Sequence, residues 1–171
     1  TGKVVIFWRA GTAFYAQVGT ISGSSISFGS AVNVGNGYPQ SATFDSNSNK
    51  IVVVYYPGTV PQNLSAKVGT VSGTSISFGS AATVDTNSKS YARSTFDSNS
   101  NKIVVTYGTA SGDGIFAKVG TISGTSITFG SEATVSSTGI ERFSSISFDS
   151  NSNKVVIAYS DEGNSSYGTA V

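Results

Sequence analysis

Three aspartates recur at one place in a motif. Asp45, Asp97 and Asp149 each follow a phenylalanine and open Asp-Ser-Asn-Ser-Asn-Lys, and Phe44, Phe96 and Phe148 stand 52 residues apart. Asp-x-Asn-x-Asn is how an oxygen-ligand calcium loop begins. Such a loop also needs a glycine for its bend and a later carboxylate that binds through both oxygens. Here Lys50, Lys102 and Lys154 close the motif and no second acid is within reach. Calcium at these turns is therefore a weak option beside a polar hairpin turn whose Asp and Asn side chains bond their own backbone. No other metal set is expected.

Nucleophilic and acid–base chemistry fare worse. Serine is the commonest residue, yet the chain has no histidine to serve as base and no Gly-x-Ser-x-Gly elbow. Glycoside cleavage needs two carboxylates across a cleft. Of nine acidic residues three are the turn aspartates, and the adjacent pair Asp161-Glu162 lies in a Gly-Asn-Ser loop. These absences argue against an enzyme and against any cofactor.

The groups that remain are suited to recognition. Trp8, Tyr15, Tyr38, Tyr56, Tyr91 and Tyr167 fall at or near loop ends, and Arg9, Gln40, Asn63, Arg93, Asp113 and Arg142 lie in or beside the same class of variable loop. Flat aromatic faces beside amides and guanidinium groups can stack on sugar rings and bond their hydroxyls. Each aromatic taken singly reads more simply as a strand-end residue, its ring half buried and its hydroxyl wet. Phe28, Phe78 and Phe129, like Phe44, Phe96 and Phe148, recur in register and read as core.

A repeat positions these residues. Besides the aspartate turn, a second cassette, Val-Gly-Thr-(Ile/Val)-Ser-Gly-(Ser/Thr)-Ser-Ile-(Ser/Thr)-Phe-Gly-Ser, starts at Val18, Val68 and Val119. A fixed period near 51 residues marks stacked or radially arranged units. The chain divides into a partial unit 1–34, units of about 35–85 and 86–136, and a partial unit 137–171, one array throughout. Within a unit, an apolar run such as 51–56 reads as a strand buried on both faces. Alternation at 13–20 and 64–70 reads as a half-buried strand. Segments 25–34, 75–84 and 126–135 read as third strands with a bend at Gly29, and 41–44 as a short inner strand with Ala42 and Phe44 inward.

No segment has a helical period, so the fold class is all-β. The units are antiparallel four-stranded meanders, and the favoured assembly is a β-propeller or a segment of one. A trefoil, a prism and a β-solenoid are the alternatives. Three and a half units do not close a ring. The expectation is that the chain continues beyond these residues or that several copies complete the ring.

Comparing the repeats with one another separates two kinds of connection. The aspartate turns and the Ser-Gly turns are almost constant. The connections at 9–12, 57–63, 108–114 and 160–166, and at 35–40, 85–90 and 136–142, vary. In a meander alternate turns share an edge, so the variable connections share one face. Loops on a rigid scaffold are where recognition usually resides.

Composition sets the remaining bounds. Charged residues are 11% of the chain and its net charge is +1, which leaves no basic field for nucleic acid. No run is long enough to span a bilayer. A surface rich in Ser, Thr, Asn and Gly suits an extracellular or virion location.

The unit resembles a propeller blade of the sialidase-like type, without that family's Asp-box. The cassettes at 68–80 and 148–159 are similar to repeats in structural and tail-fibre-like proteins of marine bacteriophages, cyanophages especially, and this likeness covers essentially the whole chain. It implies a non-enzymatic structural or recognition module of a virion appendage or microbial surface, with a surface glycan or receptor protein as partner and neighbouring repeats or a homo-oligomer completing the assembly. A compact oligomeric lectin and a purely structural fibre or capsid-decoration element are the alternatives.

Overall fold

In a computed structural model the described residues are 2–58, 63–86, 89–109 and 114–171, with side chains described for all of these except 89, 90, 109 and 139–143. They form four separate antiparallel sheets, none of them closed, with no α-helix. Sheet 1 holds β1 (Gly2–Ala10), β2 (Ala13–Ser22), β3 (Ser25–Phe28) and β4 (Val32–Asn36). Sheet 2 holds β5 (Tyr38–Asp45), β6 (Lys50–Tyr56), β7 (Leu64–Ser72), β8 (Ser75–Phe78) and β9 (Ala82–Asp85). Sheet 3 repeats this with β10 (Lys89–Asp97), β11 (Lys102–Thr109), β12 (Ile115–Ser123), β13 (Ser126–Phe129) and β14 (Ala133–Ser136). Sheet 4 holds β15 (Gly139–Asp149), β16 (Lys154–Asp161) and β17 (Tyr167–Ala170).

Each segment expected to be one third strand is two. Both halves pair with the same neighbour: β3 lies along 19–22 of β2 and β4 along 13–16, with Gly29 N–H bonded to the Val18 carbonyl at 2.9 Å between them. Sheet 3 breaks at the same place, after Phe129, with Gly130 N–H bonded to the Val119 carbonyl at 2.9 Å, so the break belongs to the repeat itself. A Cβ on Gly29 would stand 2.1 Å from the Thr74 carbonyl oxygen of the next sheet's turn, and one on Gly79 would stand 2.0 Å from that of Thr125. In sheets 1 and 2 the glycine at the break leaves room for the following sheet's turn.

Successive sheets bury their faces on one another. In β6 the alternation of a strand sends Val53 and Tyr55 into a cluster with Phe14, Ala16, Val18 and Val34 of sheet 1. Val52 and Val54 go the other way, into a cluster with Ile103, Val105 and Tyr107 of sheet 3. A third cluster joins Ile115 of sheet 3 to Ile157 and Tyr159 of sheet 4. Each sheet thus has a leading face toward the sheet before it and a trailing face toward the sheet after it. The expectation that β6 is buried on both sides holds: Val52, Val53 and Val54 have no exposed surface. Each such side chain contributes about 1.5–3 kcal/mol.

The inner strands differ from expectation. Thr43 and Asp45 are buried, whereas Ala42 is exposed and Phe44 is 51% exposed. The cause lies in the neighbours. Ser41 and Thr43 face β10, where the Ser41 and Thr43 hydroxyls lie 2.8 and 2.5 Å from the Ser94 hydroxyl and Ser94 N–H donates to Ser41 Oγ at 3.0 Å. Small hydroxyl side chains let the two strands approach closely. On the opposite side Phe44 faces sheet 1, which has no strand on the free edge of β1 to cover it. Phe28 is likewise 45% exposed, while Phe78, Phe96, Phe129 and Phe148 are half buried, so the recurring phenylalanines are a partial core only.

Candidate functional site

The constant turns are self-contained. Asp45 Oδ1 accepts from Asn47 N–H at 2.8 Å and from Ser48 N–H at 3.1 Å, and its Oδ2 accepts from the Ser48 hydroxyl. Asp97 repeats all three bonds with Asn99 and Ser100, and Asp149 bonds the Asn151 N–H and Ser152 hydroxyl. Asn49, Asn101 and Asn153 turn the chain with φ of 57°, 56° and 55°, a conformation asparagine tolerates better than most residues. The Ser100 hydroxyl holds the Asp97 carboxyl below its ordinary range, helped by two backbone N–H groups, and Ser152 does the same for Asp149. Both oxygens of each carboxylate are engaged within its own turn. Among the described residues no three acids gather as a metal cluster.

At the opposite edge the variable connections of the two series meet. Gly37 N–H donates to the Thr12 carbonyl at 2.9 Å, so the β4–β5 connection rests on the β1–β2 turn. In sheet 4, Glu162 N–H donates to the Thr138 carbonyl at 3.1 Å and the Thr138 hydroxyl donates to Asp161 Oδ1 at 2.7 Å. Several of these connections are shorter than expected, because the strands run on into them: only Gly37 separates β4 from β5. Parts of the others, at 59–62, 87–88 and 110–113, lie outside the described residues, and Asp113 with them.

On this edge the aromatic and guanidinium groups of sheet 1 divide between its two faces, with Arg9 toward sheet 2 and Trp8 and Tyr15 on the side turned away from it. The tight β1–β2 turn fixes Trp8 opposite Tyr15, and their rings stack with centroids 5.8 Å apart at 21°. Arg9, the next residue, reaches across to sheet 2 and sets its Cζ 3.9 Å over the ring of Tyr38. Gln40 Nε2 donates to the Tyr38 carbonyl at 3.3 Å, and Tyr38 pairs in register with Tyr56. Arg9 and Tyr38 are exposed, while Trp8, Tyr15, Gln40 and Tyr56 are half buried. A guanidinium over an exposed ring is worth about 0.5–1 kcal/mol, enough to orient both groups.

The other expected residues stand apart from these groups. Tyr91 is exposed and sits at φ 55° in the β10 bulge, a strained conformation for a tyrosine. Arg93, half buried, donates from Nη1 to the neighbouring Ala92 carbonyl at 3.1 Å. Asn63 is half buried at the start of β7, where its carbonyl accepts from the Ser65 hydroxyl, and Tyr167 is exposed on β17. Arg142 lies on the β15 backbone, and its side chain is outside the described residues.

Sequence reasoning passed over two lysines that tie sheets together. Lys67 Nζ donates to the Val34 carbonyl of sheet 1 at 2.6 Å. Lys118 Nζ donates to the Val84 carbonyl of sheet 2 at 2.8 Å and pairs with Asp85 at 3.3 Å. Their signal was a lysine recurring at one position on the polar side of the alternating strand, where sheet 1 has Gln17. Nearby, the Tyr107 hydroxyl donates to Glu132 Oε2 at 2.8 Å. Burial, then that carboxylate, drive the Tyr107 phenol well above the ordinary tyrosine range, and burial raises Tyr55. These groups brace the array.

Comparison of the chain with protein-family models, curated proteins and solved structures finds no match.

Proposed function

We propose that the chain is a non-enzymatic recognition module of a virion appendage or microbial surface, in which the sheets are blades of a β-propeller or of a segment of one. The observation that carries the reading is the platform at the sheet 1–sheet 2 edge, where Arg9 is laid over the exposed ring of Tyr38. A sugar ring has apolar C–H faces that stack on aromatic rings and hydroxyls that accept from guanidinium and amide donors. Tyr38, Arg9 and Gln40 supply both kinds of contact at this junction, and the Trp8–Tyr15 stack offers a second aromatic surface on the other face of sheet 1. A surface glycan is thus the partner class that this chemistry fits. A single shallow platform binds weakly, and multivalent display would raise its affinity through effective concentration.

The test is binding to a broad glycan array, followed by titration of any hit against Tyr38→Ala and Arg9→Ala. Binding lost in both variants supports the platform. Silence across the array, or binding indifferent to both changes, sinks it and leaves the structural-fibre reading.

A further inference from the structure

We infer that Lys67, at the junction of sheets 1 and 2, is an anion subsite that takes the carboxylate of an acidic sugar. Two junctions built alike differ there at one position. Lys67 in β7 and Lys118 in β12 hold the same place in their strands, and each reaches back to the preceding sheet. Lys67 Nζ donates to the Val34 carbonyl at 2.6 Å and Lys118 Nζ to the Val84 carbonyl at 2.8 Å. The next residue is Gly35 in sheet 1 and Asp85 in sheet 2, equivalent in register, Gly35 opposite Phe14 and Asp85 opposite Leu64. Asp85 sets Oδ1 3.3 Å from Lys118 Nζ, with 8% of its side chain exposed. Lys118 thus has a carbonyl and a carboxylate. Among the described residues Lys67 has the carbonyl alone, although an ammonium has three hydrogens to donate. The backbone keeps the place of the absent carboxylate clear. Gly35 has φ 141°, a conformation that side chains rarely adopt. A Cβ there would stand 3.6 Å from Lys67 Nζ and would meet nothing else within 4 Å beyond its own chain neighbours.

The chemistry of the place selects its ligand. A bond from an ammonium to a carboxylate is shorter and stronger than the neutral bond that a sugar hydroxyl offers, so an acid is preferred. The neighbouring groups select a sugar acid. Arg9, Phe14 and Gly35 lie in one row across β1, β2 and β4, on the face toward sheet 2. At ordinary strand spacing the backbones of Arg9 and Gly35 are about 10 Å apart. A short oligosaccharide can therefore set one ring against Tyr38 and Arg9 and the carboxylate of another beside Lys67. The protein's own acids are committed elsewhere: Asp45 closes a constant turn at the opposite edge, and Asp85 is turned to sheet 3. For its ligand this inference rests on the glycan reading above, and for its site on the contrast between Gly35 and Asp85.

The test titrates the full chain with a panel of uronate- and sialate-bearing oligosaccharides, each beside its methyl ester, with acetate as a plain carboxylate. Amide chemical shifts report where each one binds. A sugar acid should bind at least about fivefold more tightly than its ester, and the shifts should move at Gly35 and Asn36. Lys67→Gln should remove that preference and keep the binding of the ester, while Lys67→Arg, which retains the charge, should retain the preference. Melting curves check that both variants fold, and glutamine already stands at this place in sheet 1 as Gln17. Silence across the acids, or a preference that survives Lys67→Gln, overturns the proposal. Acid and ester bound alike, with binding lost in Tyr38→Ala, overturns the subsite and leaves glycan recognition standing. Acetate bound at Gly35 as tightly as any sugar acid, with no ester bound, overturns the sugar as ligand and the glycan reading with it.

Discussion

Ile26 and Ile76 hold one position in two copies of a strand with the sequence Ser-Ile-Ser-Phe, yet the first is half open and the second is sealed. The same contrast appears on trailing faces. Val18 and Val68 have no exposed surface, while Val119, their counterpart in sheet 3, is 47% exposed, since among the described residues no outer strand of sheet 4 lies against it. Local sequence, register and backbone geometry are shared within each set. What differs is the next sheet. The stability of a residue in this array is therefore set by its neighbouring unit, as in proteins whose repeats are stabilised by nearest-neighbour interfaces.

The largest expected effect tests that contrast directly. Ile76→Ala removes a buried side chain and should cost about 2–5 kcal/mol, whereas Ile26→Ala, in dilute solution, should cost less than about 1 kcal/mol. Urea unfolding of the two variants checks this, and equal losses would break the comparison. Next come the glycines. Gly79→Ala drives a methyl into the Thr125 carbonyl and should destabilise by about 1–3 kcal/mol. Gly130→Ala, whose nearest neighbour is the Val119 carbonyl oxygen at 3.8 Å, should be close to neutral in the same assay.

A third effect is confined to alkaline pH. With the Tyr107 phenol raised by its burial between sheets 2 and 3, stability from this group is complete below the ordinary tyrosine range. It falls by about 1.4 kcal/mol per pH unit above about pH 10, as the unfolded chain alone ionises. Tyr107→Phe should flatten that limb of a stability–pH curve, and an unchanged slope would place the cause elsewhere. The smallest effect belongs to an exposed turn. The depressed Asp97 carboxyl contributes stability above the ordinary carboxylate range, and that contribution disappears as pH falls through its own titration. Asp97→Asn should reduce the melting temperature at neutral pH by about 2 °C or less and bring it closer to wild type in acid. A larger loss at acid pH than at neutral pH would reverse the sign assigned here.

Much of the strand framework was legible because short-range rules govern it. The apolar run 51–56 predicted a strand buried on both sides. The Asp-Ser-Asn-Ser-Asn turns close on their own aspartates, and the Ser-Gly turns place Gly23, Gly73 and Gly124 at φ near 60°. The inner strand was read with the wrong face inward. Period-2 alternation cannot say whether Thr43 or Phe44 is buried until the hydroxyl contact with Ser94 is known. The third strands carry a bend at Gly29 in the sequence reading and are each two strands in the fold, and what the sequence does not reveal is that the following unit's turn presses on Gly29 and Gly79. In the candidate site, aromatic and arginine residues at variable edges were readable. The Trp8–Tyr15 stack needed the register of β1 on β2, and the Arg9–Tyr38 contact needed one sheet to be set beside another.

By itself the sequence determined the repeat, the antiparallel strands and the constant turns, since periodicity, turn chemistry and strand alternation act over a few residues. Tertiary structure alone decided which copy of each repeated residue is buried and which loop-end side chains meet. Those outcomes depend on contacts between units about fifty residues apart, and identical local sequences cannot encode a difference in their neighbours.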